Sequence, residues 1–129
     1  MVAIHRLVGF VVVAVFSVGW VWGLVAAIAR RGPGERYWTW LTVEQVVAGI
    51  QALIGVVLLL MDRRPTTWLH LVYGFGPLLI FAIGHALARE VQRDGQQGPP
   101  IAPWVVFAAA AFISFGLSGR ALMTGLGIG

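Results

Sequence analysis

The sequence contains no cysteine and no lysine, and charge of either sign is scarce: nine arginines and five acidic residues in 129 positions. Without cysteine there are no disulfides, thiolate metal sites, iron–sulfur clusters or cysteine nucleophiles. Only 11% of residues are charged, where a soluble domain carries about 25%. A chain of this size has too much surface for so few charges to cover. A soluble monomer, a disordered chain and a disulfide scaffold are all excluded by that arithmetic. What remains is an integral membrane protein. Its 59% hydrophobic content and mean hydropathy of +0.87 agree. The net charge of +4 does not indicate nucleic acid, because the arginines stand singly or in pairs beside apolar runs, as membrane flanks do.

A membrane span needs about 20 apolar residues. Four runs qualify, and they predict helices over about 5–30, 42–61, 66–90 and 101–123. Barrel strands would alternate in polarity, and these runs do not. The first run has a cleavage-like Ala27-Ile28-Ala29, but it is longer than the apolar segment of a secretory signal, so it reads as a retained span. Thr42 and Gln45 have the spacing of a capping box for the second helix. Gly32-Pro33-Gly34, Asp62-Arg63-Arg64-Pro65 and Gly95 to Pro100 supply the connections. Short connections make successive helices antiparallel, so the expected fold is all-α, a single transmembrane four-helix bundle.

Antiparallel spans sort residues by membrane face. One face, here face A, receives both chain ends and the second connection, with Arg6, Arg63, Arg64 and Arg120. Face B receives Arg30, Arg31, Arg36, Arg89 and Arg93. Four arginines against five give no orientation by the positive-inside rule. Trp38, Trp40 and Trp104 at face B and Trp68 at face A read as interfacial anchors. Gly19 and Gly23 permit a close helix contact, including one between two copies of the chain. Pro77 falls inside the third span and predicts a kink.

The chemistry concentrates in three histidines. An ionisable residue inside a span is a functional hypothesis by default. His5 opens the first helix and His70 opens the third, so both rings lie about one turn inside face A. Two imidazoles at equal depth on separate helices suit bis-His ligation of a haem iron. Gly9 and Gly74, each four residues deeper, would leave room for the macrocycle. Arg120, Arg6 and Arg63 are placed to meet its carboxylates. The alternative roles are an interfacial His5 and a His70 hydrogen-bonded to Tyr73 or Thr124. His85 lies 15 residues beyond His70, about 22 Å along the helix, too far to share a metal. It shares a depth with Glu44. The pair is expected near face B, as a second cofactor or quinone contact, a proton relay or a structural clasp. There is no phosphate-binding loop, no carboxylate pair and no Ser–His–Asp set, so no enzyme chemistry is read from the chain.

His5-Arg6-Leu7-Val8-Gly9, Gln51-Ala52-Leu53-Ile54-Gly55 and Trp68-Leu69-His70-Leu71, in that order, resemble one half-module of the heme A synthase family over roughly residues 5 to 75. The chain also resembles small bacterial four-helix proteins of cytochrome b-like type. The resemblance implies a b-type haem (heme b) held by His5 and His70 in a bacterial cytoplasmic membrane. It does not carry over the oxidation of a haem methyl group. The acidic residue that the family places three positions before the first histidine is Val2 here, and the family's cysteine pair and second half are missing. Two readings follow: a small haem protein for electron transfer or haem handling, or a cofactor-free accessory subunit of a larger respiratory or photosynthetic complex.

Overall fold

The computed structural model describes residues 1–93 and 102–128, with 91–93 given by backbone alone. They form four helices: α1 (Val2–Ala29), α2 (Glu35–Leu60), α3 (Leu69–Arg93) and α4 (Pro103–Gly125). All four are long and apolar enough to cross a membrane. Their outward faces carry large aliphatic side chains such as Leu7, Ile28, Leu53 and Leu60, which in water would form one continuous exposed apolar patch. Facing lipid, they are in their proper solvent. The chain is thus an all-α bundle suited to the bilayer.

Helix ends follow local backbone chemistry. α1 stops where Arg30 turns left-handed (φ 54°), and the N–H groups of Arg30 and Arg31 return to the last carbonyls of the helix. α2 begins at Glu35, seven residues before the expected Thr42. Thr42 and Gln45 form no capping box. Thr42 Oγ1 donates to Trp38 O at 3.1 Å, and Gln45 Nε2 donates to Leu41 O at 3.1 Å, both one turn back inside the helix. Nothing between Glu35 and Leu41 breaks a helix. Gly34 takes a φ of 84° that a side chain would resist, and Glu35 places its negative charge in the first turn, where the helix dipole favours it. Asp62 turns the chain after α2 at φ 59°, and Thr67 Oγ1 accepts the Leu69 N–H ahead of α3. Pro103 opens α4, where its missing N–H costs nothing. Gly95 to Pro100, the expected third connection, lies outside the described residues.

In the bundle α3 packs on α4, α4 on α1, and α1 on α2, whereas α2 and α3 touch only slightly. The filled part of the core occupies the face-B half. Phe16 stacks on Phe81 with centroids 5.8 Å apart and Phe81 on Phe107 at 6.4 Å, with Tyr37, Leu41, Ala88, Ala110 and Ala111 around them. The Trp40 indole N–H reaches Val15 O at 2.9 Å and fastens α2 to α1. Gly19 and Gly23 are buried inside this packing. A methyl at Gly23 would stand 2.7 Å from Ala108 Cβ, and one at Gly19 would overlap the Glu44 carboxyl. The small-residue stripe therefore serves contacts within the bundle.

Candidate functional site

The face-A half of the bundle is hollow. A cavity of about 510 Å³ opens among all four helices and the α2–α3 connection, within the size range of small-molecule and cofactor sites. His5 and His70 both line it, with Gly9, Gln51, Gly55 and Gly74. The two imidazole centroids stand 5.9 Å apart, with an interplanar angle of 69°. α1 and α3 both start at this end, so counting residues from the helix starts had already placed the rings at equal depth. The folded bundle also brings them within ring-contact distance.

The surroundings of each ring define what it offers. His70 Nδ1 lies 2.9 Å from Ala121 O and 3.2 Å from Thr124 Oγ1. A carbonyl oxygen only accepts, so Nδ1 carries the hydrogen and donates it. In the neutral ring the lone pair is then on Nε2. Metal-binding histidines are held in this way, by a backbone carbonyl on the nitrogen away from the metal. Thr124 is buried and donates its own hydrogen to the Arg120 or Ala121 carbonyl, each 3.0 Å away. The start of α1 is fixed by Gln51 Nε2, which donates to His5 O at 2.9 Å. His5 Nδ1 is buried without a hydrogen-bond partner, and so is Gln51 Oε1. Unpartnered buried polar atoms are rare and require an explanation.

Backbone without side chains surrounds the rings. A methyl at Gly55 would lie 3.4 Å from His5 Cε1, and one at Gly125 only 3.0 Å from His70 Cε1. Gly9 makes room for Gln51, whose Nε2 would be 3.2 Å from a methyl there, and Gly74 faces open space. Among the described residues no three His, Asp or Glu side chains gather around a point that could hold a metal ion. Two histidines alone fall short of the four ligands of a structural zinc site, and two is the number of protein ligands that an iron held by a four-nitrogen macrocycle can take. The chain matches no family model, no curated protein and no solved structure.

Of the residues expected at the site, His5, His70, Gly9 and Gly74 come together and Arg120 does not. The Arg120 guanidinium sits 5.8 Å above the Tyr73 ring and donates to Met123 Sδ at 4.0 Å, away from the cavity. Arg6, Arg63 and Arg64 line the cavity instead, and Arg64 is engaged by Asp62 at 3.3 Å. The expected His85–Glu44 pair is also absent. His85 is exposed, and its Nε2 donates to Gln45 Oε1 at 2.8 Å while the ring packs on Phe107 with centroids 4.9 Å apart. Glu44 is fully buried against α1. Adjacent helical residues point about 100° apart, so α2 shows Gln45 to α3 and Glu44 to α1. Gly55 and Gly125 were not singled out as site residues. Gly55 closes the Gln51 motif, which was a usable signal, whereas Gly125 has none within the glycine-rich end of the chain.

Proposed function

We propose that the protein is a small membrane-embedded b-type haem protein, with His5 and His70 as the axial ligands of one low-spin haem near face A, serving electron transfer or haem handling. The observation that carries the reading is that two imidazoles from separate helices line one cavity with their centroids 5.9 Å apart. The two imidazoles would hold the group between them, each through one ring nitrogen. The polarised Nε2 of His70, the side-chain-free wall at Gly74 and the arginines lining the cavity suit the group. A bound haem would supply one-electron chemistry, and the protein would set its potential through the ligands and burial.

In this reading each residue has a separate task. Ala121 O and Thr124 orient His70 and raise its basicity. Gln51 holds the first turn of α1 so that His5 keeps its place. Arg6 and Arg63 meet the carboxylates of the macrocycle. His5→Ala and His70→Ala variants, expressed with excess haem, test the assignment. Each is expected to lose the low-spin reduced spectrum while remaining helical. A reduced spectrum unchanged in either variant would remove that histidine as a ligand.

A further inference from the structure

Beyond the cavity floor, the core holds polar atoms that the two histidines do not use. Glu44 is fully buried; the Trp40 indole, whose N–H is donated to Val15 O, stands near its carboxyl, and neither carboxyl oxygen has a hydrogen-bond partner of good geometry. Tyr37 Oη and Ser114 Oγ, also on fully buried residues, are unpartnered as well. The α1 wall beside Glu44 and Tyr37 is shaped for them. A methyl at Gly19 would overlap the Glu44 carboxyl, and one at Gly23 would stand 3.3 Å from Tyr37 Oη. Gly19 and Gly23 are one turn apart on one face of α1, so the helix offers a bare groove to two polar side chains of α2.

On α1 the cavity lining ends at Val12, and fully buried Phe16 stands between it and Gly19, so the approach to Glu44 runs along α2 and α4. Ala48 and Ser118 line the cavity. Ala48 lies one turn from Glu44 on α2, and Ser118 one turn from Ser114 on α4, each step about 6 Å along the axis. Glu44 thus lies one helical turn beyond the small cavity-lining side chain of Ala48. An isolated carboxylate in a low-dielectric interior is costly, and the protonated acid removes the charge. We propose that Glu44 is an intramembrane proton-binding site that exchanges its proton with water in the cavity past Ala48 and Ser118. The step transfers one proton from hydronium to a Glu44 carboxylate oxygen, leaving water, and reverses on release. Tyr37 is the titratable neighbour on α2 itself. The titratable side chains of α1 and α4 (His5, Arg6 and Arg120) all lie toward face A, and on α3 His85 is turned to Gln45. The assignment needs water at the Ala48–Ser118 end of the cavity and does not use the two histidines, so it stands or falls separately from the haem.

Dicyclohexylcarbodiimide tests it on the purified full chain in detergent. An apolar carbodiimide takes the proton of a neutral carboxyl on nitrogen, and the carboxyl oxygen bonds to its central carbon. Rearrangement leaves a stable acylurea with no leaving group. One adduct per chain is expected, mapped by mass spectrometry to the Glu44 peptide and absent in Glu44→Gln. Infrared spectra should show a carboxylic-acid C=O band that moves promptly in D2O, is missing in Glu44→Gln, and moves several-fold more slowly in Ser118→Val. No adduct at Glu44 in the folded wild-type chain would overturn the proposal. An acid band that ignores D2O until the protein unfolds would overturn it too, since it would mark a static buried acid.

Discussion

At the residue scale, the site depends on how two imidazoles are held. His70 is tied through Nδ1 to α4, and His5 is positioned through its backbone by Gln51 on α2. Two glycines that line the cavity have very different tolerances. A side chain at Gly125 would start 3.0 Å from His70 Cε1, whereas one at Gly74 would meet nothing within 4 Å. Gly125→Val is therefore expected to displace His70 and abolish the low-spin haem spectrum, while Gly74→Ala keeps it. The check is the reduced absorption spectrum of the two variants at equal protein. Retention in Gly125→Val would mean that the ring is not held against that backbone. The sequence made the depth of His5 and His70 legible, because rise per residue is fixed once the helix starts are known. It made one neighbour legible, since Thr124, expected as a hydrogen-bond partner of His70, lies 3.2 Å from its Nδ1, but not the placement of Arg120. Arg120 shares the end of the bundle with the cavity yet lies over Tyr73, because rotation about a helix axis is set by packing and not by residue count.

At the element scale, the α1 groove decides how closely α2 and α4 approach. Gly19→Ala introduces a methyl into the Glu44 carboxyl, and Gly23→Ala one into Ala108. Overpacking of this kind costs about 1–3 kcal/mol. Either variant should unfold at a lower temperature than wild type in detergent, followed by circular dichroism. Gly49→Ala adds a methyl to open space and should unfold at or above the wild-type temperature. Equal loss at Gly49 would show that the groove is not special. The spans were legible as elements because apolar runs of this length have one stable form in lipid. The start of α2 was missed because Thr42 and Gln45 mimic a cap, whereas the deciding feature is the left-handed Gly34. The His85–Glu44 pairing failed for a related reason. Equal depth was read as contact, but consecutive residues on α2 face different helices.

At the scale of the whole molecule, the bundle is divided: a packed aromatic core toward face B and a cavity toward face A. Interiors normally pack to the density of organic crystals, so a half left open is a feature to be accounted for. The membrane arrangement is tested simply, because the chain has no cysteine and single-cysteine variants need no background removal. Labels at Gly32 and Arg64 should react from opposite sides of the membrane, and reaction from one side would contradict the four-span fold. The function turns on what occupies the open half. The most direct measurement is the absorption spectrum of the wild-type protein purified from a haem-replete host. The account predicts a Soret band, one haem per chain and the reduced spectrum of bis-histidine low-spin iron. A folded, helical protein that purifies without haem and takes none up when haem is added would contradict it.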